Sequence, residues 1–183
     1  MKTLITTLVL AFCTTIGFSQ NDNDSQSVIY GVRAGLTISN MDYKDGPINE
    51  NQHRNGFLFG VYAEIPLAAS LSVAPEIQFS PEGANHEDFA NDYINVPVLL
   101  KYKLFDDAVA FGVGPQVGVK VHKDNDGFKN FVFSGVGIIE FKLSGDFYVD
   151  ARYNYGFSNV FDEELVPEAT TGVIQIGLNY KVF

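Results

Sequence analysis

Cysteine is almost missing from this chain: the single residue, Cys13, lies within the first 19 positions. A chain cleaved after those positions has no thiol, which excludes disulfides and cysteine chemistry. Tryptophan is absent. Positive charge is scarce, with 12 Lys and Arg against 22 Asp and Glu and a formal net charge of −10. That balance speaks against nucleic acid as a partner, because phosphate binding needs clustered bases. No stretch is a long uninterrupted apolar run, so no transmembrane helix is expected. The only histidines, His53, His86 and His122, all sit in loop-like segments, and no Ser-His-Asp or His-Glu spacing stands out. An enzyme at the loop rim is therefore the last of three function classes, and no cofactor or metal site is expected.

What the chain has instead is alternation. In Phe147 to Ser158 every second residue is apolar or aromatic (Phe147, Val149, Ala151, Tyr153, Tyr155, Phe157), and those between are mostly polar or small. A strand sends successive side chains to opposite faces, so this is one greasy face and one charged face. The pattern recurs in Val28 to Asn40, Gly56 to Leu67, Leu71 to Ser80, Tyr93 to Leu104, Val109 to Val121, Phe131 to Leu143 and Gly172 to Phe183. The expected fold is all-β: an eight-stranded antiparallel up-and-down transmembrane β-barrel. The connections alternate long and short, as when short turns face the periplasm and long loops face outward.

Residues 1–19 read as a cleavable secretory signal peptide. Lys2 supplies the charge, Leu4 to Phe12 the short apolar run, and Gly17 and Ser19 the small residues before the cut. The run is too short to span a bilayer. The bulky Phe12 before Cys13 argues against a lipoprotein site. Residues 20–183 then form one barrel domain in the outer membrane. Its partners would be outer-membrane lipid, lipopolysaccharide and, during insertion, the barrel-assembly machinery. No functional protein partner can be read from the residues.

Alternation alone leaves two barrels open, and a soluble ligand carrier would turn its greasy face inward. Three features favour the greasy face outside. Gly31, Gly35, Gly60, Gly112, Gly114, Gly118, Gly156 and Gly177 share the polar face, as a crowded eight-stranded lumen requires, against Gly135 and Gly137 on the apolar one. Phe57, Phe79, Phe131 and Phe157 lie near the long-loop ends, and Tyr30, Tyr102, Phe141, Phe147 and Tyr180 near the short-turn ends, as two girdles. The chain also ends in an aromatic, Phe183, although its parity is that of Lys181, so the last strand is expected to bend or slip. Bulges are expected at Pro75, Pro97 and Pro115, because a closed barrel needs every backbone donor.

The run Tyr93-Ile-Asn-Val-Pro-Val-Leu-Leu-Lys-Tyr102 and the segment Gly31-Val-Arg-Ala-Gly-Leu-Thr-Ile-Ser-Asn-Met41 resemble the Bacteroidetes outer-membrane β-barrel proteins often called PorT-like, of which the name-giving member is linked to type IX secretion and gliding. The leader ending Phe18-Ser19-Gln20 is similar as well. The resemblance covers essentially the whole chain after the leader. Its motifs are strand motifs, so it implies a barrel in the cell envelope and carries no role over to single residues.

Arg33, Glu64, Glu76, Lys101, Lys103, Lys120, Glu140, Lys142, Asp150, Arg152 and Lys181 would point into the lumen. Isolated buried charge is costly, so the first reading is a network of ion pairs filling the lumen of a non-enzymatic barrel that stabilises the membrane or presents its loops to a partner. The excess of seven bases over four acids keeps a second reading open, a small passive channel for anionic solutes. The acidic loops, with Glu82, Glu87, Asp88 and Asp92 in one and Asp162, Glu163, Glu164 and Glu168 in another, read as solubilising, with divalent cation binding as the alternative. The Asp124-Asn-Asp-Gly127 run is too short for an EF-hand loop and reads as a turn.

Overall fold

The computed structural model describes residues 27–43, 54–83, 90–121, 131–157 and 169–182. They form eight strands: β1 (Ile29–Tyr43), β2 (Arg54–Ala68), β3 (Leu71–Gly83), β4 (Ala90–Leu104), β5 (Val109–Lys120), β6 (Phe131–Ser144), β7 (Phe147–Gly156) and β8 (Ala169–Lys181). Each strand pairs antiparallel with its sequence neighbours, and β8 pairs with β1 to close the barrel. Closure removes both sheet edges, so backbone donors and acceptors are satisfied within the sheet, as a hydrocarbon surround demands.

Alternation places the faces as the glycines and girdles imply. Val32, Leu36, Phe59, Val61, Val113, Tyr153 and Ile176 are exposed on the outside. Arg33, Glu64, Gln78, Lys101, Asp150 and Gln175 are buried inside. Phe147 and Tyr180 face each other on paired strands, with ring centroids 4.8 Å apart, in one girdle. Phe59 and Phe79 stack at 5.5 Å across β2 and β3. The inward glycines make room for large neighbours. A Cβ on Gly177 would lie 2.6 Å from the Arg33 Nε, and one on Gly31 would lie 2.2 Å from the Tyr62 ring.

Three expectations change. Five of the strands, β1, β2, β3, β4 and β8, overrun their expected limits at the long-connection end, so that Pro81, Glu82 and Gly83 pair with Asp92, Asn91 and Ala90. Only about 9–11 tilted residues cross a bilayer, so the overrun carries no greasy face and does not look like a strand in sequence. The expected bulges at Pro75, Pro97 and Pro115 are not there. Pairing steps from Pro75–Val98 to Gln78–Asn95, and from Pro97–Gln116 to Leu100–Val113, with one offset on either side. The register shifts lie beside short turns instead, at Pro66/Ala68 and Lys142/Ser144. Finally, β8 keeps its register with β1 through Lys181, without a slip, and the Val182 N–H donates to the Tyr30 carbonyl at 2.7 Å. Phe183 itself lies outside the described residues.

Candidate functional site in the barrel interior

The lumen is filled in three layers. The layer nearest the short turns is built on lysines. Glu64, on β2, takes Lys101 Nζ at 3.2 Å, Lys181 Nζ at 3.7 Å and also pairs with Lys103. The Ser72 hydroxyl donates to it at 3.2 Å. Lys101 also reaches Glu140 at 2.8 Å. Asp107, in the β4–β5 turn, closes the layer from below. It accepts from Lys181 at 3.1 Å and from the Tyr148 hydroxyl at 2.7 Å. Lys181 Nζ also lies 3.8 Å from the centre of the Tyr148 ring. Phe105, Asp106 and Asp107 all have positive φ (52°, 53° and 67°), a conformation that costs energy for residues with a Cβ. That backbone turns the Asp107 carboxylate towards the lumen.

The middle layer is built on arginines. Arg33 grips Asp150 with two parallel bonds, Nε to Oδ2 at 2.9 Å and Nη2 to Oδ1 at 2.7 Å. Its Nη1 donates to Gln78 and Gln175, each at 3.1 Å. Arg152 donates from Nε to Asp150 at 3.0 Å, and from Nη1 and Nη2 to Glu76 at 2.5 and 3.2 Å. Asn179 supplies a further bond to Asp150 at 2.5 Å. The guanidinium fork fits such two-toothed contacts, which a lysine cannot make. Beside these layers Ala74, Leu99, Val136 and Ile138 form a small buried apolar cluster inside the barrel.

The third layer, towards the long connections, holds Thr37, Ser80, Glu82, Asn95, Gln116, Ser134 and Asn154, all buried. Arg54 caps it, donating to the Glu82 backbone carbonyl at 2.6 Å and to the Asp92 carboxylate at 2.9 Å.

Of the eleven charges placed inside from sequence, Arg33, Glu64, Glu76, Lys101, Lys120, Glu140, Asp150, Arg152 and Lys181 are buried there. Lys103 is half-buried. Lys142 is a correction: it is exposed at the short-turn rim, its Nζ 5.6 Å from the Tyr148 ring centre. It sits beside the register shift where the strand leaves the crowded interior, and a lysine with a long stem reaches water from there. Glu82 and Asp107, assigned from sequence to a loop and a turn, join the interior instead. Parity along β3 (Glu76, Gln78, Ser80, Glu82) is the signal that could have found Glu82. With these changes the fully buried charges of the described residues balance: Arg33, Lys101, Lys120, Arg152 and Lys181 against Glu64, Glu76, Glu82, Glu140 and Asp150. The three histidines, the Asp124 to Gly127 run and most of the acidic loop residues lie outside the described residues.

A closed antiparallel barrel with lipid-type residues outside and ion pairs inside defines a transmembrane β-barrel protein. The family model described as outer membrane protein beta-barrel domain matches residues 18–162, and the chain belongs to that family of outer-membrane proteins. Its fold is similar to that of Neisserial surface protein A, with a TM-score of 0.56, 13% identity, and coverage of 86% of this chain and 100% of that one. It is similar also to Ail, the attachment invasion locus protein of Yersinia pestis, with a TM-score of 0.54, 14% identity and the same coverage. At these identities the likeness is one of fold. No curated protein matches the chain.

Proposed function

We propose that this protein is a non-enzymatic outer-membrane barrel whose lumen is a structural plug and whose working surface is its long outward connections. The observation that supports this best is the lumen itself, where two layers of paired charge span the barrel and the buried charges balance five to five. The excess of bases that favoured a path for anions is gone once Glu82 and Asp107 are inside and Lys142 is out. Eight strands leave only enough width for side chains to fill. With the interior used up, the loops are what remains to meet lipopolysaccharide or a protein partner. Insertion would go through the barrel-assembly machinery after removal of residues 1–19. The strand motifs at Gly31 to Met41 and Tyr93 to Tyr102 support placing the chain among the PorT-like barrels.

The test uses intact cells. Cysteines placed at Glu87 and Glu163 should react with an impermeant thiol reagent, and those at Ser70 and Gly145 should not. Shortening the connections that carry Glu87 and Glu163 should abolish crosslinks to any surface partner while the barrel still folds. Labelling at Ser70 and Gly145 alone would overturn the reading.

A further inference from the structure

Glu82 differs from the other buried carboxylates. Glu64, Glu76, Glu140 and Asp150 each have a lysine or arginine nitrogen within ion-pair distance. Among the described residues Glu82 has none, although it is only 5% exposed. The nearby Arg54 donates to the Glu82 backbone carbonyl and to Asp92, and its charge acts on the Glu82 carboxylate from a distance, with no ion pair between them. What the carboxylate does receive are neutral donors: Asn95 Nδ2 at 2.6 Å and the Ser80 hydroxyl. The overall balance of charge in the lumen does not neutralise it locally. A desolvated carboxylate with no counter-charge in contact is expensive.

Glu82 borders a small cavity of about 20 Å³, lined also by Gln116, Ser134 and Asn154 and, on the apolar side, by Val132, Phe133 and Val173. That is room for about one water-sized occupant. Gln116 and Asn154 are 3% and 2% exposed. The Gln116 Oε1 and the Asn154 Oδ1 and Nδ2 have no hydrogen-bond partner among the described residues. Glu82, Gln116, Ser134 and Asn154 can offer this space one carboxylate, two amide oxygens and a hydroxyl, the oxygen ligands that hard cations take. A single carboxylate balances a single charge.

We propose that Glu82, with Gln116, Ser134 and Asn154, forms a buried site for one small monovalent cation of sodium's kind at the long-connection end of the lumen. The ion supplies the counter-charge that the other four carboxylates obtain from side chains. It also takes up amide oxygens that the fold leaves bare, and so ties β3, β5, β6 and β7 together above the ion-pair layers.

The test is thermal unfolding of the full protein, refolded in detergent, in sodium chloride and in choline chloride at matched ionic strength. Choline is too large for the cavity. Sodium should raise the midpoint saturably, by about 4 °C or more at saturation. Glu82→Gln should remove the difference between the two salts, and so should Gln116→Leu. If either variant fails to fold, the wild-type pair of salts still decides. Equal midpoints of the wild type in both salts, or a Glu82→Gln protein that keeps the sodium response, would overturn the site and leave water as the occupant.

Discussion

The two ends of the lumen solve the same problem in different ways. Near the short turns and at mid-barrel, every buried carboxylate of the described residues meets a base, and one side chain often serves two partners. Near the long connections, amides and hydroxyls fill the space, and the one fully buried carboxylate has neutral donors only. The first arrangement is crosslinked: Asp150 alone holds two arginines and Asn179, and through them β1, β7 and β8. The second has polar atoms to spare. The contrast separates a part of the lumen crosslinked by ion pairs from a part with polar atoms left unpaired.

Breaking the sealed layers should cost most. Asp150→Ala leaves the buried Arg33 guanidinium without a carboxylate in contact, takes one of two carboxylate partners from Arg152, and should destabilise by about 3–5 kcal/mol in a urea refolding titration. The matching change at the other end, Glu82→Gln in choline, removes no ion pair and should cost far less. If the two cost the same, the distinction between the ends fails. Outside, Val113→Arg and Ile176→Arg place charge among exposed apolar residues and should cost about 2–4 kcal/mol near the bilayer midplane. Arg152→Lys keeps the charge and loses the fork that spans Glu76 and Asp150, with an expected loss of about 1.5–3 kcal/mol. Lys142→Ala, at the exposed rim, removes at most a cation–π contact and should stay within about 1 kcal/mol. A larger loss there would restore Lys142 to the interior.

The barrel was legible because its signal is local and repeated. A greasy face every second residue, with glycines on the other, fixes strand, face and closure without long-range information. The charged layers were half legible. Parity puts Arg33, Asp150 and Arg152 on one face, but the meeting of Arg33 with Asp150 joins residues 117 apart and depends on barrel closure. Glu82 escaped because Pro81 and Gly83 resemble a loop, while the ladder of β3 with β4 runs on through them. Asp107 escaped because a turn of left-handed residues aims it inward, and nothing in Phe-Asp-Asp announces that backbone. The amide layer escaped for another reason: its members carry no charge, and counting charges passes over them.

The central claim is that paired charge seals the lumen. Single-channel recording of the folded protein in planar bilayers tests it directly. The sealed barrel gives no stable conductance steps at any salt concentration. Reproducible steps with anion preference, abolished by Lys101→Glu, would show that an open path runs through the ion-paired layers.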